Sequence, residues 1–226
     1  NLGIIGGFKQ AKVKDATANI FQSSGLSASS IAASNELGYV IGASYSVPSI
    51  ALRAELLYET DTDFSLDTTN SVGMSGKTTG STPDYMTLNF QSGIAEGTLL
   101  FGSIRRADWS NHQLKVFPDP KAATSSFTNT TTYSLGIGRK VSDSLTIIVN
   151  YSTEPAGSSA STTPLTITNG YKAVGLAARY STGNATITTG YSYAKVGDTT
   201  MTSALGAGQF TNNTVSGFGI KVGFNF

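Results

Sequence analysis

Asp108, Ser110 and His112 lie at alternate positions in one stretch and supply the three residue types of a nucleophilic relay, so a hydrolase is the first chemistry to weigh. A working triad is assembled in space from separate elements, and neighbours in one loop make a poor relay. His112, the single histidine of the chain, therefore reads as a solvated loop residue. There is no cysteine, which excludes a disulfide framework and a thiolate metal site. With one histidine, a metal would need carboxylates, and no Asp/Glu cluster is spaced for one. Gly136 and Gly138 form a Gly-Xaa-Gly pair, but no helix follows to hold a phosphate. The residues thus point away from an enzyme and imply no metal and no cofactor.

Two other sets remain. Arg53, Arg105, Arg106, Arg179 and Lys221 are cations placed within or beside alternating segments, where they could hold a carboxylate. The plain alternative is that they form salt bridges with Glu55 and Glu59 that stiffen the fold. Ile20, Phe21, Leu26, Ile31, Leu114, Val116 and Phe117 are apolar residues in otherwise polar connections, suited to gripping an apolar ligand. They could equally pack the connections on one another.

The elements that must position these residues are strands. From Phe218 to Phe226 every second residue is Phe, Ile, Val, Phe and Phe, while Gly217, Gly219, Lys221, Gly223 and Asn225 fill the other face. That is a period of two. Leu37, Tyr39, Ile41, Ala43 and Tyr45 repeat the pattern, as do Tyr133, Leu135 and Ile137, then Leu145, Ile147, Val149 and Tyr151, then Val174, Leu176 and Tyr180. Between Ile50 and Glu59 the polar face carries Arg53, Glu55 and Glu59. Burying those charges in a dry core would cost several kcal/mol per unpaired ion, whereas a wet lumen accepts them. Leu2–Val13 alternates poorly, and Leu99, Leu100 and Phe101 run together, so the faces of those two strands are ambiguous.

Composition agrees with strands that face lipid. Charged residues make up 13% and apolar ones 39%, both below the usual soluble values of roughly 25% and 45 to 50%. No apolar run of the ~20 residues needed for a membrane helix occurs, and a barrel needs none. The net charge of +1 argues against nucleic acid as a partner. The 10 Tyr and 11 Phe fall at alternating positions, which argues against disorder. About ten strands are expected over residues 1–226, forming one all-β, antiparallel transmembrane barrel, with connections that alternate long and short. Long links are expected at 15–36, 61–83, 110–129, 153–169 and 197–213. Such alternation is the mark of a barrel with short turns on one rim and long loops on the other. Tyr39, Tyr45, Tyr58, Tyr133, Tyr151, Tyr180 and Tyr193 sit near strand ends, where aromatic girdles belong.

The stretch from Thr82 to Ser110, together with 133–140, 168–171, 174–176 and 195–198, resembles the FadL/TodX family of outer-membrane channels for long-chain fatty acids and other hydrophobic compounds. The resemblance runs from Gly38 onward. It implies a bacterial outer-membrane location, hydrophobic small molecules such as fatty acids and aromatic hydrocarbons as ligands, and lipid and lipopolysaccharide as neighbours. Phe226, an aromatic at the very end of the last strand, separately resembles the terminal signal by which bacterial outer-membrane barrels are recognised by the barrel assembly machinery. Family members have fourteen strands and an N-terminal hatch with an Asn-Pro-Ala segment. That segment is missing here, so a C-terminal portion of a longer barrel is expected, with a reduced barrel as the alternative. On this resemblance Ile20, Phe21, Leu26, Ile31, Leu114, Val116, Phe117, Arg53 and Arg179 are the candidate ligand-binding residues. A phospholipase-like hydrolase or a structural, adhesive barrel are the competing functions.

Overall fold

A computed structural model describes residues 1–22, 25–117, 125–157, 160–161, 169–203 and 206–225. In chain order, β1 (Leu2–Val13) leads into a hairpin of β2 (Ala16–Gln22) and β3 (Gly25–Ile31), followed by β4 (Ser34–Val47). A single 3-10 turn, Pro48–Ile50, with Ala51 in the left-handed region, leads to β5 (Leu52–Glu59). A second hairpin, β6 (Thr62–Asn70) and β7 (Ser75–Thr82), precedes β8 (Asp84–Ala95) and β9 (Thr98–Asp108). Then come β10 (Thr130–Lys140), β11 (Leu145–Glu154), the two-residue β12 (Ala160–Ser161), β13 (Tyr171–Thr182) and β14 (Ala185–Val196). A last small hairpin, β15 (Thr199–Ser203) and β16 (Gly206–Phe210), precedes β17 (Thr214–Phe224).

Ten of these strands form one antiparallel sheet in the order β1, β4, β5, β8, β9, β10, β11, β13, β14, β17. Each neighbour in space is the next long strand in sequence, so the sheet is a continuous meander. It is not closed, and β1 and β17 are its free edges. The remaining strands build two small sheets inside what the sequence reads as long polar loops: β2, β3, β6 and β7 in one, β12, β15 and β16 in the other. Ser/Thr/Gly-rich segments pair here because backbone groups must find partners even where no apolar face directs them. Period-two reading of apolar residues had no signal to detect in them.

The register settles the ambiguous strands. Leu2, Ile4 and Phe8 lie opposite Tyr45, Ala43 and Tyr39, so they share the outer face, and Ile5, opposite Gly42, points inward. Leu100 lies opposite Ile137 on the outer face, while Leu99 and Phe101, opposite Gly138 and Gly136, point inward. The strand before them runs through Ala95, with an irregularity between Gly93 and Ala95, so the turn is Glu96-Gly97 alone.

Among the described residues there is no soluble core: the buried apolar side chains are Leu66, Pro83 and Ala107, whereas Leu37, Ile41, Leu56, Leu135, Val174, Leu176, Phe218 and Ile220 are all exposed on the outer face. The seven girdle tyrosines are exposed there too. Tyr45 and Tyr180 lie toward the short-turn rim, and Tyr39, Tyr58, Tyr133, Tyr151 and Tyr193 toward the long-loop rim. Tyr39 and Tyr45 are six residues apart on one strand, which at about 3.4 Å per residue is roughly 20 Å. That is close to the apolar band of about 25 Å on bacterial barrels once tyrosine rings at both ends are counted.

Candidate functional site

Cross-strand pairing organises the inner face into rows. Gly93, Leu99, Gly138, Ile148, Ala177, Gly190 and Gly219 pair in sequence across seven strands, from β8 to β17. Every member is apolar or a glycine, so the row forms a smooth apolar track. Two residues toward the short-turn rim, Arg179 and Lys221 both pair with Thr188, which sets two cations in one row. No Asp or Glu forms an ion pair with either among the described residues. One step toward the long-loop rim runs a more polar row: Ser46, Arg53, Gln91, Phe101, Gly136, Asn150, Gly175, Ser192 and Gly217. The glycines admit larger neighbours; a methyl group at Gly136 would collide with the Phe101 ring.

Of the candidate cations, Arg53 is engaged. Its Nη2 lies 2.5 Å from Glu55 Oε2, and Asn89 Nδ2 donates to Glu55 Oε1 at 3.2 Å. Here the stiffening salt bridge is what forms. Arg106 pairs with Met86 and so falls on the outer face rather than inside. Arg105 stacks its guanidinium 3.9 Å above the Tyr85 ring, with Lys9 Nζ 5.8 Å from the same ring. Thr132 beside it donates to Glu154 Oε2 at 2.9 Å. Lys9 and Tyr85 carry no sequence signal; only the register brings them to Arg105.

The apolar loop residues divide. Ile20 and Phe21 lie on β2 and Leu26 on β3, with side chains outside the described residues. Ile31 is half-buried at the end of β3, opposite Ala16 and Thr68. The segment 112–117 docks on β7 through a bridge in which Thr79 N donates to Lys115 O at 2.9 Å and Lys115 N to Thr79 O at 2.8 Å. Gly76 and Gly80 of that strand seat Phe117 and Leu114: any Cβ at Gly76 would clash with the Phe117 ring. Leu114, Val116 and Phe117 thus support the rim, and each remains half-exposed. Gln113 ties the segment together, its Nε2 donating to the carbonyls of Trp109, Ser110 and Phe127 and its Oε1 accepting from Ser125 Oγ and Phe127 N. An open cleft of about 530 Å³ lies beside it, lined by Phe64, Gly80, Ser81 and Gln113 among others.

The loop triad does not assemble. Ser110 Oγ donates to Asp108 Oδ1 at 3.0 Å, and His112 is turned away from both. Nor is His112 a solvated loop residue: it is 8% exposed, with Nδ1 2.7 Å from Ser81 Oγ and Nε2 3.8 Å from Asp84 Oδ2. Contrary to the expectation of no carboxylate cluster, ligand atoms of Asp61, Asp63 and His112 all lie within 4.8 Å of one another. The strand bonds that carry Ser81 and Asp84 to this point join residues far apart in sequence, which spacing cannot reveal. Phe226 lies outside the described residues.

No protein-family model and no curated protein matches the sequence. Solved structures do. A Pseudomonas aeruginosa FadL homologue superposes with a TM-score of 0.67 at 15% identity, over 98% of this chain and 62% of its own. The Pseudomonas putida toluene transporter TodX gives 0.59 at 12% identity, over 100% of this chain and 66% of its own. The Ralstonia pickettii toluene transporter TbuX gives 0.53 at 11% identity, over 98% and 61%. The chain therefore spans a little over six tenths of the length of these structures. At such identities the likeness is one of fold, and the chain folds as the FadL-type channels do.

Proposed function

We propose that the chain forms most of the wall of a bacterial outer-membrane channel for passive uptake of long-chain fatty acids or other hydrophobic small molecules. The observation that carries this reading is the apolar row from Gly93 to Gly219 on the inner face. A pore for ions or sugars needs charged or polar lining at that depth, and a track of Gly, Ala, Leu and Ile offers an apolar molecule a surface without a desolvation cost. Outside, lipid is the solvent for the exposed Leu, Ile, Phe and Tyr residues. Ligand would be caught at the long-loop rim by Ile20, Phe21, Leu26, Ile31, Leu114, Val116 and Phe117. It would then pass along the track toward Arg179 and Lys221, which form no ion pair among the described residues and suit a carboxylate. The free edges β1 and β17 cannot stay unpaired in hydrocarbon, and further strands outside this chain are proposed to close them.

The test is uptake of radiolabelled oleate and of toluene into liposomes carrying the full-length barrel. Saturable uptake is expected. Conductance of small polar solutes without saturable uptake of either ligand would refute the proposal and favour a structural barrel.

A further inference from the structure

The geometry points to a divalent-cation site at the long-loop rim, with Asp61, Asp63 and the Nδ1 of His112 as ligands and Asp84 orienting the imidazole. Three separate pieces of chain meet there. Asp61 follows β5, Asp63 opens β6, Asp84 opens β8, and His112 arrives on the segment docked against β7. Asp84 Oδ1 accepts from Tyr58 Oη and from the Asp61 backbone N–H, both at 2.9 Å. Its Oδ2 is left facing His112 Nε2 at 3.8 Å. A carboxylate on that side favours the tautomer with the proton on Nε2, so the Nδ1 lone pair accepts from Ser81 Oγ at 2.7 Å, a bond that a cation at Nδ1 would replace while Asp84 closes on Nε2 as the outer-shell partner.

Ligands about 2.1 Å from one tetrahedral ion stand about 3.4 Å apart. Asp61 Oδ2 lies 4.0 Å from Nδ1, and the whole group falls within 4.8 Å. Rotation of the half-exposed Asp61 and the exposed Asp63 side chains is what draws both carboxylates onto the ion. His112 is more than nine-tenths buried, and its Nε2 has no hydrogen-bond partner within range. Around it stand three carboxylates, and among the described residues no Lys or Arg pairs with any of them. One imidazole and two carboxylates suit Zn²⁺ or a neighbouring first-row ion.

The same atoms, Ser81 Oγ, His112 and Asp84, also stand in the order of a hydrolytic relay. Charge decides between the two. Asp61 lies on the Ser81 side of the ring, where a tetrahedral oxyanion would have to develop, and a carboxylate there raises that barrier while it attracts a cation.

Equilibrium dialysis of the full-length barrel, folded in detergent, against Zn²⁺, with Ca²⁺ as comparison, tests the site. One Zn²⁺ per chain is expected, bound more tightly than Ca²⁺. Asp63→Asn, at an exposed position that leaves folding intact, is expected to weaken binding at least ~10-fold, and Asp84→Asn by ~10- to 100-fold as an outer-shell change. Ser81→Ala should change it less than ~3-fold. Binding untouched by Asp63→Asn and His112→Gln, or no Zn²⁺ bound at 100-micromolar order, as an isolated weak carboxylate would give, overturns the assignment. So does ester hydrolysis that Ser81→Ala abolishes.

Discussion

Leu176 gives the sharpest test of the claim that the outer face meets lipid. It sits in the middle of β13, 58% exposed, with Val149 and Tyr191 as outer-face partners on the two flanking strands. Ser192 is next to Tyr191 and points inward, opposite Gly175 and Gly217. Leu176→Arg places a charge near the bilayer midplane, where barrels lose about 2 to 4 kcal/mol. At 1.36 kcal/mol per tenfold that is roughly a 30- to 900-fold fall in the folding equilibrium. Ser192→Arg points into the aqueous lumen and should cost well under 1 kcal/mol. Urea titration of the full-length barrel in lipid vesicles measures both, with Trp109, the single tryptophan of this chain, as reporter; it packs against Phe127 with ring centroids 5.1 Å apart and planes tilted by 59°, so its emission follows assembly of the rim. If the outer face were instead an ordinary solvated surface, Leu176→Arg would fall within about 0.5 kcal/mol of the parent. That result, or equal losses for the two variants, refutes the membrane reading.

Other consequences follow from the same geometry. Gly76→Val drives a side chain into the Phe117 ring and should cost about 1 to 3 kcal/mol of local packing, seen as faster tryptic cleavage after Lys115. Ala177→Glu puts a carboxylate in the middle of the apolar track and should cut oleate uptake at least ~10-fold while the variant still folds, as its gel mobility with and without heating would report. Removing Arg179 and Lys221 together should lower uptake of oleate but not of toluene. Arg53→Ala, which breaks only a partly exposed pair with Glu55, should leave both rates unchanged and cost at most about 1 kcal/mol. Cysteines at Ile4 and Ile220, on the two free edges, should form no disulfide within one chain; rapid formation would mean that the barrel closes on these ten strands.

Much of the sheet was legible because a strand that is apolar on one face writes its period into the sequence. Leu37 to Tyr45, Tyr133 to Ile137 and Phe218 to Phe224 each declare their outer face, and the regular alternation of long and short connections declares a meander. The charges at Arg53, Glu55 and Glu59 already required a wet inner face. Weak alternation hid the remainder. The hairpins at 16–31 and 62–82 are held by backbone pairing among Ser, Thr and Gly, which leaves no hydrophobic trace, and Leu99 to Phe101 needed the register of the neighbouring strand.

Residue order in the strands thus determined which side chains face out, since that depends only on local period. What the tertiary structure alone decided is which residues become neighbours across strands: the apolar track, the Arg179 and Lys221 row, the stack of Arg105 on Tyr85, and the meeting of His112 with Asp61, Asp63, Ser81 and Asp84. Those neighbours are set by the register between strands and by how a loop folds back on the rim, and both arise from contacts between residues distant in the chain.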